Sequence, residues 1–288
     1  MADFMNIDIF IETRKRLHLS QNQLAAGICT QATLSKFERN GKVPSLKILL
    51  QLCDRLELTL NDLFPLNHDE DSVRSRTLEE AEFQLLVEEY DQVRANLAKL
   101  GDPTKGTSTF QLRFYFIRGY VTALSGGAIV DALYDFSQIL NRLDEGHHSM
   151  YTLLAYTGMG LAYSQEGDLD AATFYFNKGA SQIHQTTFKN RHNIWRTLNI
   201  IYYTGQFLGE TGEVARSNDL LSYGVEICKD YHVTYYLARI LYQRARNYRQ
   251  TNGATAQITQ DIQDAAAFAR LNRNTKLLAQ IAAFNAGA

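Results

Sequence analysis

Residues 19–38 read Leu19-Ser20-Gln21-Asn22-Gln23-Leu24-Ala25-Ala26-Gly27-Ile28-Cys29-Thr30-Gln31-Ala32-Thr33-Leu34-Ser35-Lys36-Phe37-Glu38. This stretch predicts two short helices joined by a tight turn. Ser20 is a good N-cap, and Gln23 follows at the spacing of a capping box. Leu24, Ala25 and Ile28 give the first helix a small apolar face, and Gly27 near its end lets the chain turn. Thr30 or Gln31 opens the second helix. Its buried side is Leu34 and Phe37, and Gln31, Thr33 and Lys36 fall on the opposite side.

Continued through Asn40-Gly41-Lys42-x-Pro44-Ser45, the pattern resembles the repressor-type (Cro/C1-like) helix-turn-helix, in which the second helix enters the DNA major groove. The resemblance implies a five-helix domain over about residues 5–66. Ile7, Ile11, Arg14 and Leu17 space out as its first helix. After Pro44 and Ser45, Leu46, Leu49, Leu50, Leu52, Cys53 and Leu56 mark the fourth. Thr59 with Asp62 opens a short fifth helix ending near Phe64-Pro65.

With 288 residues the chain has room for a second domain or a repeat array. Its 29 basic and 31 acidic residues argue against a non-specific nucleic-acid coat, while a specific reader needs only a few local cations. Residues 1–66 hold eight Lys/Arg and seven Asp/Glu. Arg14, Lys15, Arg16, Lys36, Arg39, Lys42 and Lys47 are most of that footprint, which predicts binding as a dimer. Cys29, Cys53 and Cys228 are far apart and odd in number, so neither a disulfide frame nor a zinc site is expected. Asp3, Asp8 and Glu12 near the N-terminus argue against a signal peptide. No run has the apolar length of a membrane helix. A cytoplasmic protein without cofactor or metal is the expectation, and no membrane partner.

Residues 67–76, Asn-His-Asp-Glu-Asp-Ser-Val-Arg-Ser-Arg, read as a linker, or as a solvated helix leading into the next domain. Asp69-Glu70-Asp71 lacks the Gly and distal Glu of a calcium loop. From about residue 77 the pattern becomes repeated helix pairs. The clearest unit is Tyr156-x-x-Met159-Gly160-x-x-Tyr163, then Gly167-Asp168-Leu169-Asp170-Ala171-Ala172-x-x-x-Phe176-x-x-Gly179-Ala180. A second copy lies 45 residues on, at Gly205-x-x-Leu208 and Gly212-Glu213-Val214-Ala215-x-Ser217-x-x-x-Leu221-x-x-Gly224. A third begins at Arg244-Ala245-x-x-Tyr248, with its second helix displaced by Asn252-Gly253-Ala254-Thr255 to around Ile262–Leu271. Weaker copies fit Leu78–Leu100 and Leu112–Leu143. About five pairs are expected, similar to a tetratricopeptide array, which buries its apolar faces only by stacking. The predicted fold class is therefore all-α: a five-helix DNA-reading domain (1–66), the linker, and a right-handed repeat array (77–288).

That combination resembles the PlcR-type regulators of the RRNPP superfamily over essentially the whole chain. The Cys29-x-Gln31-x-x-x-Ser35 turn, Leu241-Tyr242-Gln243-Arg244 and Ala265-x-x-x-Ala269 belong to the likeness. The resemblance implies quorum sensing: a short re-imported signalling peptide lies in the concave groove and alters DNA binding or activation. Taking Gly160, Gly205 and Ala245 as equivalent, the groove stripe holds Thr157, Leu161 and Ser164, then Asn199, Tyr202 and Gln206, then Arg239, Tyr242, Arg246 and Arg249. The peptide-binding candidates are Thr157, Asn199, Tyr202, Gln206, Arg239, Tyr242, Gln243 and Arg246. An amide donates and accepts, so Asn199 suits a peptide backbone. The resemblance implies an asparagine at such positions, and the preceding repeat has Thr157 instead. Asn199 reads equally as a solvated amide, Tyr202 and Tyr242 as core packing or groove walls, and the arginines as a solvated face or a basic groove end favouring a carboxylate.

At the DNA end the base-reading candidates are Gln31, Ala32, Thr33 and Lys36, with Gln21 and Arg39 on phosphates. The expected partners are double-stranded DNA bearing an inverted repeat, a signalling peptide and a second copy of the chain. The alternative is a helix-turn-helix repressor whose array only dimerises or docks a protein. An enzyme is not expected. Gly-rich phosphate loops, His-Glu-x-x-His and Gly-x-Ser-x-Gly are absent, and His147-His148 and His184 lack partners at metal spacing.

Overall fold

The computed structural model describes residues 7–58, 60–63, 69–147, 149–185 and 191–286, and the chain divides into two compact units, Met1–Arg76 and Thr77–Ala288. Every regular element among the described residues is helical.

The first unit holds α1 (Ile7–Arg16), α2 (Gln21–Ala25), α3 (Gln31–Asn40), α4 (Leu46–Arg55) and α5 (Leu60–Leu63). Both halves of the predicted capping box form: Ser20 Oγ accepts from Gln23 N, and Gln23 Oε1 from Ser20 N. Thr30, rather than Gln31, caps α3. Gly27 sits at φ +74°, a left-handed turn that an L side chain rarely adopts. Leu24, Leu34, Phe37, Leu49, Leu52, Leu56 and Phe10 close one core, with the Phe10 ring edge-on to Phe37 at 5.1 Å.

Two helix faces are rotated from their expected positions. On α1 the buried residues are Phe10 and Thr13, while Ile11 and Arg14 lie at the margin and Leu17 is exposed. The predicted stripe runs one position too far along, because Phe10 alone fills the space beside Phe37. On α4, Leu46 and Leu50 are 63 % and 46 % exposed. They sit four apart on the exposed edge of the stripe whose buried residues are Leu49, Leu52 and Cys53. Thr59, Phe64 and Pro65, expected to bound α5, lie outside the described residues.

Of the two readings of residues 67–76, the helix is the one found from Asp69 onward: α6 (Asp69–Leu86) covers most of that stretch. No Gly or Pro interrupts that stretch, so nothing in it stops a helix. Residues 67 and 68, and the side chains of Asp69, Glu70 and Asp71, lie outside the described part.

After α6 come α7 (Tyr90–Lys99), α8 (Ser108–Leu124), α9 (Ile129–Gln138), α10 (Met150–Glu166), α11 (Leu169–Ala180), α12 (Arg191–Glu210), α13 (Val214–Asp230), α14 (Leu237–Gln250), α15 (Thr255–Leu271) and α16 (Thr275–Ala286). Together with α6 these make five pairs and one further helix, α16, that the sequence pattern does not single out. The first helices α8, α10, α12 and α14 pack on one another as a layer, and each also packs on its own second helix.

The small residues stand where paired helices cross. A Cβ on Gly160 would lie 2.8 Å from the Phe176 ring, and one on Gly205 2.6 Å from Leu221. Phe136 fills the same space against Gly119 and Gly158. The fifth pair keeps this register. α15 begins at Thr255, so the polar insert is only a turn and does not displace the second helix to Ile262. Arg244 and Asp261 show it: they form a two-pronged pair at 2.7 and 2.6 Å. Arg118 and Asp135, at the same sequence spacing in α8 and α9, do likewise.

Candidate functional site

Gln31, Ala32, Lys36 and Arg39 are exposed on α3, and Thr33 is partly covered by its bond to Thr30. The orientation of Gln31 is set from below. Arg14 donates to both oxygens of buried Glu38, Gln21 Nε2 donates to Glu38 at 2.8 Å, and Gln21 Oε1 accepts from Gln31 Nε2 at 2.6 Å. The free oxygen and second N–H of Gln31 keep the complementary pair of functions that adenine N6 and N7 require. Arg14 is therefore removed from the expected cationic footprint, since its charge is held by Glu38 beneath the surface. Arg55 donates to the carbonyls of Leu24 and Ala26, satisfying the C-terminal end of α2. Lys36, Arg39 and Lys42 remain exposed.

In the array, seven of the eight peptide candidates fall in three places, and Tyr242 stands apart from them. Thr157 is fully buried, its hydroxyl bonded to the Leu153 carbonyl and pressed against Gly179 of α11. It faces its own partner helix and not the open side of the layer, because Gly179 has no Cβ to push it out.

Asn199, Tyr202 and Arg239 come together in an enclosed cluster with Tyr90, Tyr203, Tyr236 and Glu88. Asn199 is 1 % exposed; its Nδ2 donates to Tyr236 Oη at 2.7 Å, and its Oδ1 is buried without a hydrogen-bond partner among the described residues. It is no solvated amide. Tyr236 holds φ +58° at the start of α14, a strained position for a ring-bearing residue. Arg239 Nη2 lies 3.1 Å from both the Leu86 carbonyl and Glu88 Oε1. Burial opposes its charge, but Glu88 and the surrounding tyrosines raise its pKa. Burial pushes the Tyr236 phenol up to about 12, against Arg239 and Asn199, which lower it. Arg239 is thus mostly buried and paired, and together with Tyr236 it forms part of the wall of a neighbouring cleft. The same α6–α7 segment is tied again at Glu82, which accepts from Arg113 of α8 and Arg196 of α12. Tyr236 and Arg239 of the cluster, with Phe83, Leu86, Tyr235 and Arg273, help line a cleft of about 530 Å³.

Gln206, Gln243 and Arg246 form the third place, at the C-terminal ends of α12 and α14. A cleft of about 430 Å³ opens there, lined by Gly209, Glu210, Gln243, Arg246, Arg249, Gln250 and Phe284. Gln206 and Arg246 both donate to Glu210. Tyr242 turns to α16, its ring against Phe284 and its hydroxyl 3.4 Å from the Gln280 carbonyl. The sequence reading missed Glu82, Glu88, Arg196 and Tyr236. Their partners lie 31 or more residues away, beyond any local pattern.

Residues 11–63 match the helix-turn-helix family model HTH_3. The N-terminal unit carries a helix-turn-helix. A search of the curated proteins finds no match. Among solved structures, Bacillus thuringiensis PlcR in complex with the peptide PapR7 and DNA superposes with a TM-score of 0.74 at 16 % identity, over 96 % of this chain and 98 % of that one. ComR from S. thermophilus, in complex with DNA and its signalling peptide ComS, gives 0.65 at 13 %, over 98 % and 99 %. The Streptococcus dysgalactiae SHP pheromone receptor Rgg2 gives 0.59 at 14 %, over 98 % and 99 %. The likeness is one of fold: a helix-turn-helix followed by a helical repeat array along nearly the whole of each chain. No helix among the described residues is long and apolar enough to cross a membrane, and no His, Cys, Asp and Glu cluster there is arranged for a metal.

Proposed function

We propose that this protein is a sequence-specific transcriptional regulator whose repeat array binds a short signalling peptide and thereby changes DNA binding or activation. The observation that carries this reading is the pairing, in one chain, of a helix-turn-helix with exposed Gln31 and Lys36 and an array with an open polar cleft. PlcR and ComR, which share the fold, were solved with peptide and DNA bound. Gln31, Ala32, Thr33 and Lys36 read bases, Arg39 meets phosphate, and Gln21 orients Gln31. Gln206, Gln243 and Arg246 meet the peptide, with Asn199, Tyr202 and Arg239 behind the first turn of the array. One such head covers little DNA, so the working form is a homodimer on an inverted repeat with half-sites ~34–36 Å apart. The protein acts in the cytoplasm and catalyses no reaction.

The test is selection of genomic DNA by purified full-length protein, with and without the small-peptide fraction of host culture medium. Enrichment of inverted-repeat sites whose occupancy changes with the fraction is the expected result. Sites indifferent to a fraction shown to contain the secreted peptides would remove the peptide from the function.

A further inference from the structure

We propose that the cleft at the C-terminal ends of α12 and α14 is a carboxylate-binding site, with Arg249 and Arg246 as its cations. This rests on the reading of the array as a peptide receptor and names the chemical group that anchors the peptide. Of the three arginines on this stripe of α14, Arg239 is enclosed and held by Glu88. Arg249 is different. It donates one N–H to the Phe284 carbonyl at 2.6 Å and lies over the Phe284 ring, and no described carboxylate pairs with it. A guanidinium carries five N–H groups in a planar fork, so Arg249 keeps donors for a ligand.

Arg246 is steered toward the same space. Its Nη1 donates to Gln243 Oε1 at 3.0 Å and to Glu210 Oε1 at 3.2 Å. Gln243 is itself fixed by Nε2 donating to buried Asn247, which reaches Ser217. Gly209 makes this floor possible: a Cβ there would lie 2.8 Å from Gln243 Nε2. The Arg246–Glu210 pair is 41 % and 46 % exposed, so water screens it and an incoming anion can share Arg246. Two cations against one carboxylate leave the cleft a single net positive charge, matched to a monoanion beside the apolar face of Phe284. A peptide offers that group as its C-terminal carboxylate or as an Asp or Glu side chain.

The experiment uses full-length protein and a positional-scanning library of synthetic heptapeptides, prepared as free acids and as C-terminal amides, with binding read by fluorescence polarisation. The expected result is dependence on one carboxylate. Amidation, or Asp/Glu to Asn/Gln exchange at one fixed position, weakens binding about 10- to 100-fold. Amidation sensitivity assigns the terminus; side-chain sensitivity assigns an acidic residue. Glu210→Gln strengthens binding of the acid form by removing the competing anion. Arg249→Gln abolishes the acid–amide difference and Arg249→Lys retains much of it, with circular dichroism showing that both remain folded. Should Arg249→Gln unfold, the acid–amide comparison on the natural protein and on Glu210→Gln decides alone. Peptides bound equally as acid and amide, without acidic preference, would overturn the carboxylate site and leave the peptide receptor standing. A folded protein that selects DNA yet binds no library peptide would overturn both.

Discussion

Arg239 and Glu88, on the fifth helix pair and on the turn after α6, meet at 3.1 Å, and the same guanidinium nitrogen takes the Leu86 carbonyl. The pair joins the last repeat to the first. Lys276 of α16 adds a contact to the Glu88 carbonyl at 3.3 Å. An array of this kind is ordinarily stabilised by neighbour-to-neighbour stacking. Here a direct tie between its ends adds to that.

Breaking the tie from one side leaves a charge behind. Arg239→Met is expected to destabilise the array by up to about 3–5 kcal/mol, the range for a buried pair that loses one partner, because Glu88 is left facing a ring of tyrosines. Pairing it with Glu88→Gln should recover part of the loss. Urea denaturation of the four proteins of the cycle measures this; a purely additive cycle would show that the two charges do not act together.

The helix crossings are filled to contact. Gly160→Ala puts a methyl group 2.8 Å from the Phe176 ring, and overpacking of this sort costs about 1–3 kcal/mol. Phe176→Leu in the same chain should relieve it. Thermal unfolding of the single and double variants reads the effect, and full stability of Gly160→Ala alone would refute it.

At the DNA end two substitutions separate reading from positioning. Gln31→Ala should relax specificity at one base pair and cost roughly 1–3 kcal/mol on the preferred site. Arg14→Ala should lower the stability of the first unit by leaving Glu38 buried without its cation, with little change in which bases are preferred once the domain is folded. Binding to a systematically varied operator, beside thermal melting, distinguishes them. Unchanged preference in Gln31→Ala would remove that residue from base contact.

High pH tests the buried phenols. Tyr151 and Tyr236 are held neutral by burial, each pushed up to about 12 from a usual value of 10. The folded state therefore binds more protons than the unfolded one between about pH 10 and 12. Their contribution is fully present below pH 10 and is lost as pH rises through 12. Tyrosinate absorbance of these rings should appear together with loss of helix, not before it. Cys228, likewise pushed up to about 12 by burial, should resist alkylation in the native protein at pH 8 and react only on unfolding.

The sequence by itself determined the helix-turn-helix, down to the Ser20–Gln23 capping box, and the succession of helix pairs, because caps, turns and apolar spacing are local and act within a few residues. The crossings at Gly160 and Gly205 were legible for the same reason, since the glycine and the ring it admits recur at a fixed interval. Tertiary structure alone decided which side of those helices stays open. Asn199 and Arg239 share a periodic stripe with Gln206 and Arg246, yet Tyr236 covers Asn199 and Glu88 pairs Arg239 beside one cleft, while Arg246 lines another. Thr157, on the same nominal stripe, turns inward because Gly179 makes room for it. Periodicity gives a residue's angle around its own helix. What covers that face is set by chain far away in sequence, through ion pairs such as Glu82–Arg196, 114 residues apart, that no local pattern encodes.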